Sequence, residues 1–274
     1  MSSAQLNQEV VLSKISLITA CYNRESTIHD TLRSINEQTY ENIEHIVIDG
    51  KSTDSSLDII KSHGMRVSSL VSEKDDGFYD AYNKGLAIAT GEIIGFLNSD
   101  DFYIANDVIS KVMKIFEDPD IEACHANLVY VNFDNTEKVV RHWKSSDFTD
   151  KDYKKGSIPA HPTVFFRRSV YEKIGNFDTT FSLVADYDLL CRAFFVQKVK
   201  SVYVDETWIR MRVGGATGGN FKSIVKQNKE LHAARKKHGI HTSIFSYILF
   251  KLFDRAFQFL RAGAAVPSDN KKVS

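Results

Sequence analysis

Three cysteines in 274 residues are too few and too scattered for a disulfide framework. Cys21, Cys124 and Cys191 form no CxxC pair, which also argues against a structural zinc site. They read as buried thiols in a reducing compartment. No internal repeat or low-complexity segment divides the chain. The opening residues MSSAQLNQEV lack the basic start and apolar run of a signal peptide, and no stretch of about 20 uncharged apolar residues marks a membrane span. The expected location is therefore cytoplasmic. Net charge is also missing, since 35 Lys and Arg balance 35 Asp and Glu.

That neutrality hides an uneven distribution. Positions 220–274 hold 11 Lys or Arg and 3 Asp or Glu, a local net of +8, which leaves −8 for positions 1–219. An acidic body disfavours general nucleic-acid binding, whereas the basic tail suits an anionic membrane surface or a phosphate-bearing substrate. With 43% hydrophobic and 26% charged residues, the composition is that of a globular protein of one large or two small domains. A chain of this size buries about 75% of the surface its unfolded form exposes, so it needs no covalent staple.

The first hundred residues alternate between two patterns. Ile15–Ala20 is an apolar run of strand length that ends in the polar turn Tyr22-Asn23-Arg24. A helix follows, capped by Ser26 or Thr27, with Ile28, Leu32 and Ile35 on one face. His45–Ile48 repeats the strand and ends at Asp49-Gly50; Ser52–Asp54 then caps a second helix. A short strand near Ser68–Val71, a helix over Tyr79–Ala89 and a strand over Glu92–Leu97 continue the series. This is the signature of an α/β fold, a mostly parallel sheet flanked by helices on both faces. Ligands bind such sheets at the carboxyl ends of the strands, where three polar clusters lie: Cys21–Arg24, Asp49–Asp54 and Asn98–Asp101. Beyond Asp118 the pattern is less regular, and that half is expected to complete the sheet and wall off a cleft.

Asp100 and Asp101, at the end of a buried strand, have the chemistry to hold a hard divalent cation. Mg²⁺ or Mn²⁺ prefers oxygen and is often held by one or two carboxylates together with the substrate's phosphates. The pair can equally be solvated loop aspartates that cap a helix near Asn106. Asp49, at a neighbouring strand end, can accept an N–H from a nucleobase.

Four motifs occur in a characteristic order: Thr19-Ala20-Cys21-Tyr22-Asn23-Arg24; Val47-Ile48-Asp49-Gly50-Lys51-Ser52-Thr53-Asp54; Asp76-Gly77 with Tyr79-Asp80-Ala81 and Asn83-Lys84-Gly85; and Gly91-Glu92 running to Phe96-Leu97-Asn98-Ser99-Asp100-Asp101. Together they resemble the family 2 inverting glycosyltransferases, including those that build bacterial cell-surface polysaccharides. The resemblance implies a GT-A, Rossmann-like fold that binds a nucleotide-sugar donor, with UDP expected, across the strand ends. Thr19, Cys21, Tyr22, Asn23 and Asp49 would then meet base and ribose, while Asp76 and Lys84 would shape the donor pocket. Asn98-Ser99-Asp100 takes the place of the family's DxD motif. The first acidic position is Asn98, which brings no charge, so the metal is expected chiefly on Asp100 with Asp101 in support.

Further along, Ala185-Asp186-Tyr187-Asp188 is similar to the family's acidic motif before a helix, with Asp186 at the place of the catalytic base. A helix cap is the other role open to Asp186. His161 falls where similar proteins meet the sugar or acceptor, and Arg210 and Arg212 are suited to the departing diphosphate. The chain is expected to divide into a catalytic domain over 1–219, with a donor half over about 1–118 and an acceptor half over 119–219, and a basic helical tail over 220–274, joined by the glycine-rich loop Gly214-Gly215-Ala216-Thr217-Gly218-Gly219. Within the tail, Phe245, Leu249, Leu252, Phe253, Ala256, Phe257, Phe259 and Leu260 share one helical face opposite Lys251, Asp254, Arg255 and Gln258. Such a helix can lie on the inner face of a membrane, pack on the body or join a second copy in a homodimer. A saccharide or lipid-linked acceptor fits the first of these. The residues disfavour two other classes. A nucleotidyltransferase would need a glycine-rich, basic phosphate loop after the first strand, which Tyr22-Asn23-Arg24-Glu25 is not. A catalytically idle scaffold would be free to lose Asp100 or Asp186, and both are present.

Overall fold

The computed structural model of the chain describes residues 13–214 and 221–240. The glycine-rich segment after Gly214 and the amphipathic pattern over 244–260 lie outside the described residues. The first half consists of strands β1 (Ile15–Cys21), β2 (Ile43–Asp49), β3 (Val67–Ser72) and β4 (Ile93–Phe96), linked by helices α1 (Ile28–Asn36), α2 (Ser56–His63) and α3 (Phe78–Ile88). Side chains alternate across a strand, so β1 and β2 each serve two cores. Ile18, Ala20, Ile46 and Ile48 pack beneath α3. Ile15 and Leu17 meet Ile35 of α1, and Cys21 and Val47 join Ile28, Leu32 and Ile60 of α1 and α2. Both faces are covered, which is why these strands read as continuous apolar runs.

The second half comprises β5 (Phe102–Tyr103), α4 (Val108–Ile115), β6 (Ala123–Val131), β7 (Val139–Trp143), α5 (Asp150–Lys155), β8 (Phe165–Arg167), α6 (Arg168–Ile174), α7 (Ala185–Leu190), β9 (Ser201–Arg212) and α8 (Phe221–Lys237). The strands join one sheet in the order β3-β2-β1-β4-β8-β6-β9-β5, with β7 paired to β6. β1 pairs in parallel with β2 and with β4, and β2 with β3. β8 runs antiparallel between β4 and β6, β9 is parallel to β6, and β5 is antiparallel to β9. The chain thus winds outward from β1 to β3, then returns to β1's other side for β4. Where the winding reverses, the carboxyl ends of β1 and β4 part and leave a crevice.

The ends of the helices define the surroundings of the crevice. Thr27 is the N-cap of α1 without a side-chain capping bond; its hydroxyl donates to the Ser99 carbonyl at 3.0 Å. The N-cap of α4 is Asp107, so Asp100 and Asp101 are not helix caps. Leu231 and Ala234 of α8, and Ile240 after it, are buried in the same core as α3 and α7. Arg235, only 4% exposed, donates to the carbonyls of Tyr153 and Lys154. α8 is thereby part of the body.

The join between the halves is tight. Gly95 of β4 pairs with Phe165 of β8, and a β-carbon there would overlap the Phe165 ring, which is fully buried and has no room to swing aside. Gly95→Ala is expected to destabilise the fold by about 1–3 kcal/mol, read as a lower urea midpoint at unchanged slope.

Candidate active site

The ends of β1 and β2 are tied into one turn. Asn23 adopts a left-handed backbone (φ 50°), a conformation that asparagine tolerates better than most residues. Its side-chain oxygen accepts the Thr53 N–H at 2.9 Å, and its own N–H donates to Ser52 Oγ at 2.9 Å. Asp49 is fully buried and accepts from Ser52, through both hydroxyl and N–H, and from Ser72 Oγ at 2.6 Å. Its carboxylate therefore locks the ends of β2 and β3 together. Thr19 and Cys21 also face inward. The Thr19 hydroxyl meets Nε2 of His45 at 3.1 Å, and burial lowers His45 to about 3, which keeps that ring neutral. Burial, with Asp49 close by, raises the Cys21 thiol to about 12, so it stays protonated and unreactive. Tyr22 is the member of this turn that faces out, at 57% exposure.

Tyr22 stands beside a carboxylate that the motifs did not single out. A β-carbon on Gly50 would lie 2.8 Å from Asp75 Oδ2 and 3.4 Å from the Tyr22 ring. Glycine at position 50 thus leaves a bare backbone shelf between an aromatic face and an acid. Lys84 of α3 holds this wall, with Nζ at 2.7 Å from Asp75, 3.0 Å from Glu73 and 3.3 Å from Asp80, and donating to the Lys74 carbonyl at 2.9 Å. Asp76, the acid expected at the pocket, is exposed, its N–H donating to Asp80 at 3.1 Å. The turn of the loop puts Asp75 inward and Asp76 outward.

The Asn98–Asp101 turn is a hydrogen-bonded hub. Asn98 accepts from the Tyr82 hydroxyl at 2.7 Å and donates through Nδ2 to Asp101 Oδ2 at 2.7 Å, so both ends of its amide are engaged. Ser99 is 5% exposed and contributes its carbonyl to Thr27. Asp101 is fully buried, and its other oxygen accepts the Arg212 N–H at 3.3 Å. Asp100 retains 20% side-chain exposure and has Arg24 Nε at 4.0 Å. Burial raises both carboxyl groups above the usual range, Asp101 the more strongly because the charge of Asp100 adds to it, while Arg24 and Arg212 pull Asp100 partly back.

The two arginines of β9 have separate destinations. Arg212, 5% exposed at its side chain, donates to the Asp100 carbonyl at 2.8 Å, pairs with Asp30 of α1 and lies over the Phe102 ring. Its Nε has no partner among the described residues. Arg210 is bound instead to Glu137 at 2.6 Å and the Thr136 carbonyl at 3.1 Å, in the turn between β6 and β7. Residues two apart on a strand share a face but sit about 6.6 Å apart, so each meets a different neighbour.

The opposite wall is Asp186, in the first turn of α7. Val184 rather than Asp186 is the N-cap of that helix. Asp186 Oδ1 accepts the Tyr79 hydroxyl at 2.9 Å and the Tyr187 N–H at 2.8 Å. Tyr79 and Tyr82 lie three apart on α3 and so project from one face. One hydroxyl reaches the Asp186 side of the crevice and the other the Asn98–Asp101 side. Below them His161, Phe96 and Phe177 pack with Tyr82 in an aromatic cluster whose ring centroids lie 4.3–6.2 Å apart. Burial lowers His161, and the charge of Asp186 opposes that shift. Asn83 fixes the cluster from α3, exchanging two 2.9 Å bonds with the backbone of Phe177.

The sequence profile of glycosyl transferase family 2 matches residues 16–175. The chain belongs to glycosyltransferase family 2. An uncharacterized glycosyltransferase of Mycobacterium tuberculosis is 30% identical over 184 residues, covering 66% of this chain and 69% of that protein. An Escherichia coli protein named UDP-Glc:alpha-D-GlcNAc-diphosphoundecaprenol beta-1,3-glucosyltransferase is 25% identical over 262 residues, covering 89% of this chain and 96% of its own length. Among solved structures, a Pyrobaculum calidifontis mannosyltransferase in complex with GDP-Man and Mn²⁺ superposes with a TM-score of 0.63 at 19% identity, over 93% of this chain and 74% of that one. S. aureus TarS 1–349 in complex with UDP-GlcNAc gives 0.64 at 15% identity, over 92% and 74%; this chain spans 39% of a longer TarS chain. These likenesses establish the GT-A fold.

A divalent cation fits the glycosyltransferase at Asp100. Two carboxyl groups there are desolvated and repel each other, and their hydrogen bonds together with the charges of Arg24 and Arg212 compensate only in part, since both stay above the usual carboxylate range. A cation would supply the missing positive charge. Among the described residues no three His, Cys, Asp or Glu side chains converge on one point, so the protein would furnish one or two ligands and leave the rest to phosphate and water. Asp101 is closed off behind Asn98 and Arg212, and Asp100 is the more accessible of the two carboxyl groups.

Proposed function

We propose that this glycosyltransferase transfers a sugar, with inversion, from a UDP-sugar to a saccharide on a lipid-linked acceptor in the synthesis of a cell-surface polysaccharide. The observation that carries the proposal is the placement of Asp186 and of the Asn98–Asp101 turn on either side of one crevice, with Tyr79 of α3 bonded to Asp186 and Tyr82 bonded to Asn98, which in turn donates to Asp101. In-line displacement at an anomeric carbon needs that separation of roles: negative charge departs toward one wall while a proton is taken at the other. Tyr22 offers a ring for the base, with the Gly50 backbone and Asp75 beside it and the Asp49 turn beneath. Asp100, with Asp101 behind it, would hold Mn²⁺ or Mg²⁺, which when bound would supply positive charge for a departing diphosphate. Arg24 and Arg212 add positive charge there. Asp186 accepts the proton of the acceptor hydroxyl, and His161 borders the sugar. The UDP donor is supported by the names of the Escherichia coli and S. aureus relatives, and the lipid-linked acceptor by the former.

Incubating the enzyme with a panel of nucleotide sugars and an undecaprenyl-diphosphate-linked GlcNAc acceptor tests this. UDP release is expected with one UDP-sugar in the presence of Mn²⁺, falling to background with EDTA. No turnover of any donor would leave an idle sugar-nucleotide-binding protein, and unchanged turnover in EDTA would remove the metal.

Association with a membrane surface belongs to the same proposal. Among the described residues no helix is long and apolar enough to cross a membrane. The outer face of α8 presents Lys222, Lys226, Lys229 and Lys236, all exposed, at spacings that align them along one side. Basic residues near an anionic bilayer contribute about 1 kcal/mol each. The full chain is expected to sediment with phosphatidylglycerol vesicles in low salt, and a chain cut before His241 to sediment less; equal pelleting would exclude the tail as an anchor.

A further inference from the structure

Asp186 stands on a six-residue helix, too short to hold its own geometry. Its N-cap Val184 supplies no side-chain cap, and a π-helical turn, Cys191–Val196, follows directly. Yet a base must be held to within about 0.5 Å of its productive position. The restraint comes from α8. Glu230 of α8 accepts the Leu183 N–H and the Ser182 hydroxyl, each at 2.8 Å, before Asp186. Arg235 donates to the Tyr187 hydroxyl at 3.0 Å immediately after it. One residue further, fully buried Asp188 receives Lys237 at 3.0 Å, His238 at 2.8 Å and, within its own helix, Arg192 at 2.9 Å. Burial opposes the charge on Asp188, but these donors outweigh it and hold the carboxyl below its usual range. Residues 182, 183, 187 and 188 are therefore all gripped, and Asp186 is the acid between them that is left facing the crevice.

We infer that α8 is the clamp that sets the position of Asp186, with Glu230 and Arg235 as positioning residues for the transfer step. The inference rests on Asp186 being the base. The clamp lies beyond the segment that the family profile matches, which ends at residue 175. A structural pin would lower stability without regard to the chemical step, whereas a positioning clamp acts through Asp186 and nothing else. The two differ in a double-mutant cycle.

Glu230→Ala is expected to lower kcat about tenfold or more, since a displacement near 1 Å can cost 10²-fold, while the UDP-sugar Kd from calorimetry changes less than about twofold. Glu230→Gln, which keeps one acceptor oxygen, is expected to recover a large part of that loss. In an Asp186→Asn background, adding Glu230→Ala should cause no further loss. A full additional loss in that background, or a raised Kd at unchanged kcat, would overturn the clamp. Asp186→Asn alone reports on the base, so a wild-type rate in that single variant sinks the underlying assignment and not merely the clamp. If Glu230→Ala does not fold, Tyr187→Phe removes only the hydroxyl that Arg235 grips and enters the same cycle.

Discussion

Asp186→Asn is expected to lower kcat by about 10²- to 10⁴-fold, the range general-base assistance supplies, with the donor Kd and the melting temperature close to wild type. The substitution is isosteric, and the amide oxygen can still accept from Tyr79 and Tyr187, the two donors now on Oδ1. What it loses is the ability to take a proton. Because Tyr79 is 7% exposed and burial, the largest influence on its hydroxyl, keeps it protonated without any help from the carboxylate, it cannot substitute as the base. Steady-state UDP release, calorimetric titration with the donor and thermal unfolding separate the three quantities. A rate near wild type would take Asp186 out of the chemistry, and a lost donor affinity would make it a binding residue.

Asp100→Ala and Asn98→Ala are expected to fail in different ways. Removing Asp100 takes one charge from a desolvated pair, which relieves Asp101 and leaves stability unchanged or slightly higher. Activity should fall by roughly 10²- to 10³-fold, comparable to deleting one preorganised electrostatic contact in a transition state, and the Mn²⁺ dependence of what remains should flatten. Asn98→Ala removes no charge. It strands the Tyr82 hydroxyl and an oxygen of Asp101, both in buried surroundings, at a cost of about 1–3 kcal/mol. Its signature is a lower melting temperature with a smaller loss of turnover. Metal titrations followed by activity, beside urea unfolding of both variants, distinguish them. Equal losses of activity without a stability difference would contradict the hub assigned to Asn98.

The donor half was legible because its strands are buried on both faces and end abruptly in polar turns, so apolar runs and clusters mark strand and site alike. Even there, sequence could not phase the loop after β3: Asp75 and Asp76 are adjacent, and only the tether to Lys84 decides which turns inward. Tyr79 and Tyr82 were visible at helical spacing, but what their hydroxyls reach depends on elements up to 107 positions away. The second half was harder. β5 has two residues and carries no period, yet it seats β9 so that Arg212 meets Asp101. Arg210 and Arg212 looked equivalent from their spacing and are not, because the turn between β6 and β7 takes one and α1 the other. Likewise the tail was set apart by its charge, although Leu231 and Ala234 carry the first part of it into the core.

The pairing of β9 beside β5 also bears on the order of events in synthesis. Arg212 reaches back 112 positions to Asp100 and 182 to Asp30. Contacts of such separation are slow to form, since closing a long chain segment comes before any gain. A nascent chain that has emerged only as far as β8 carries the four parallel strands and the whole of the Asn98–Asp101 turn, but β6 still lacks its parallel neighbour and shows an open edge. The intermediate is thus exposed to wrong strand pairing for as long as residues 201–212 remain in the ribosome. Refolding yield should accordingly depend on protein concentration, with losses that begin before the carboxylate pair acquires its arginine.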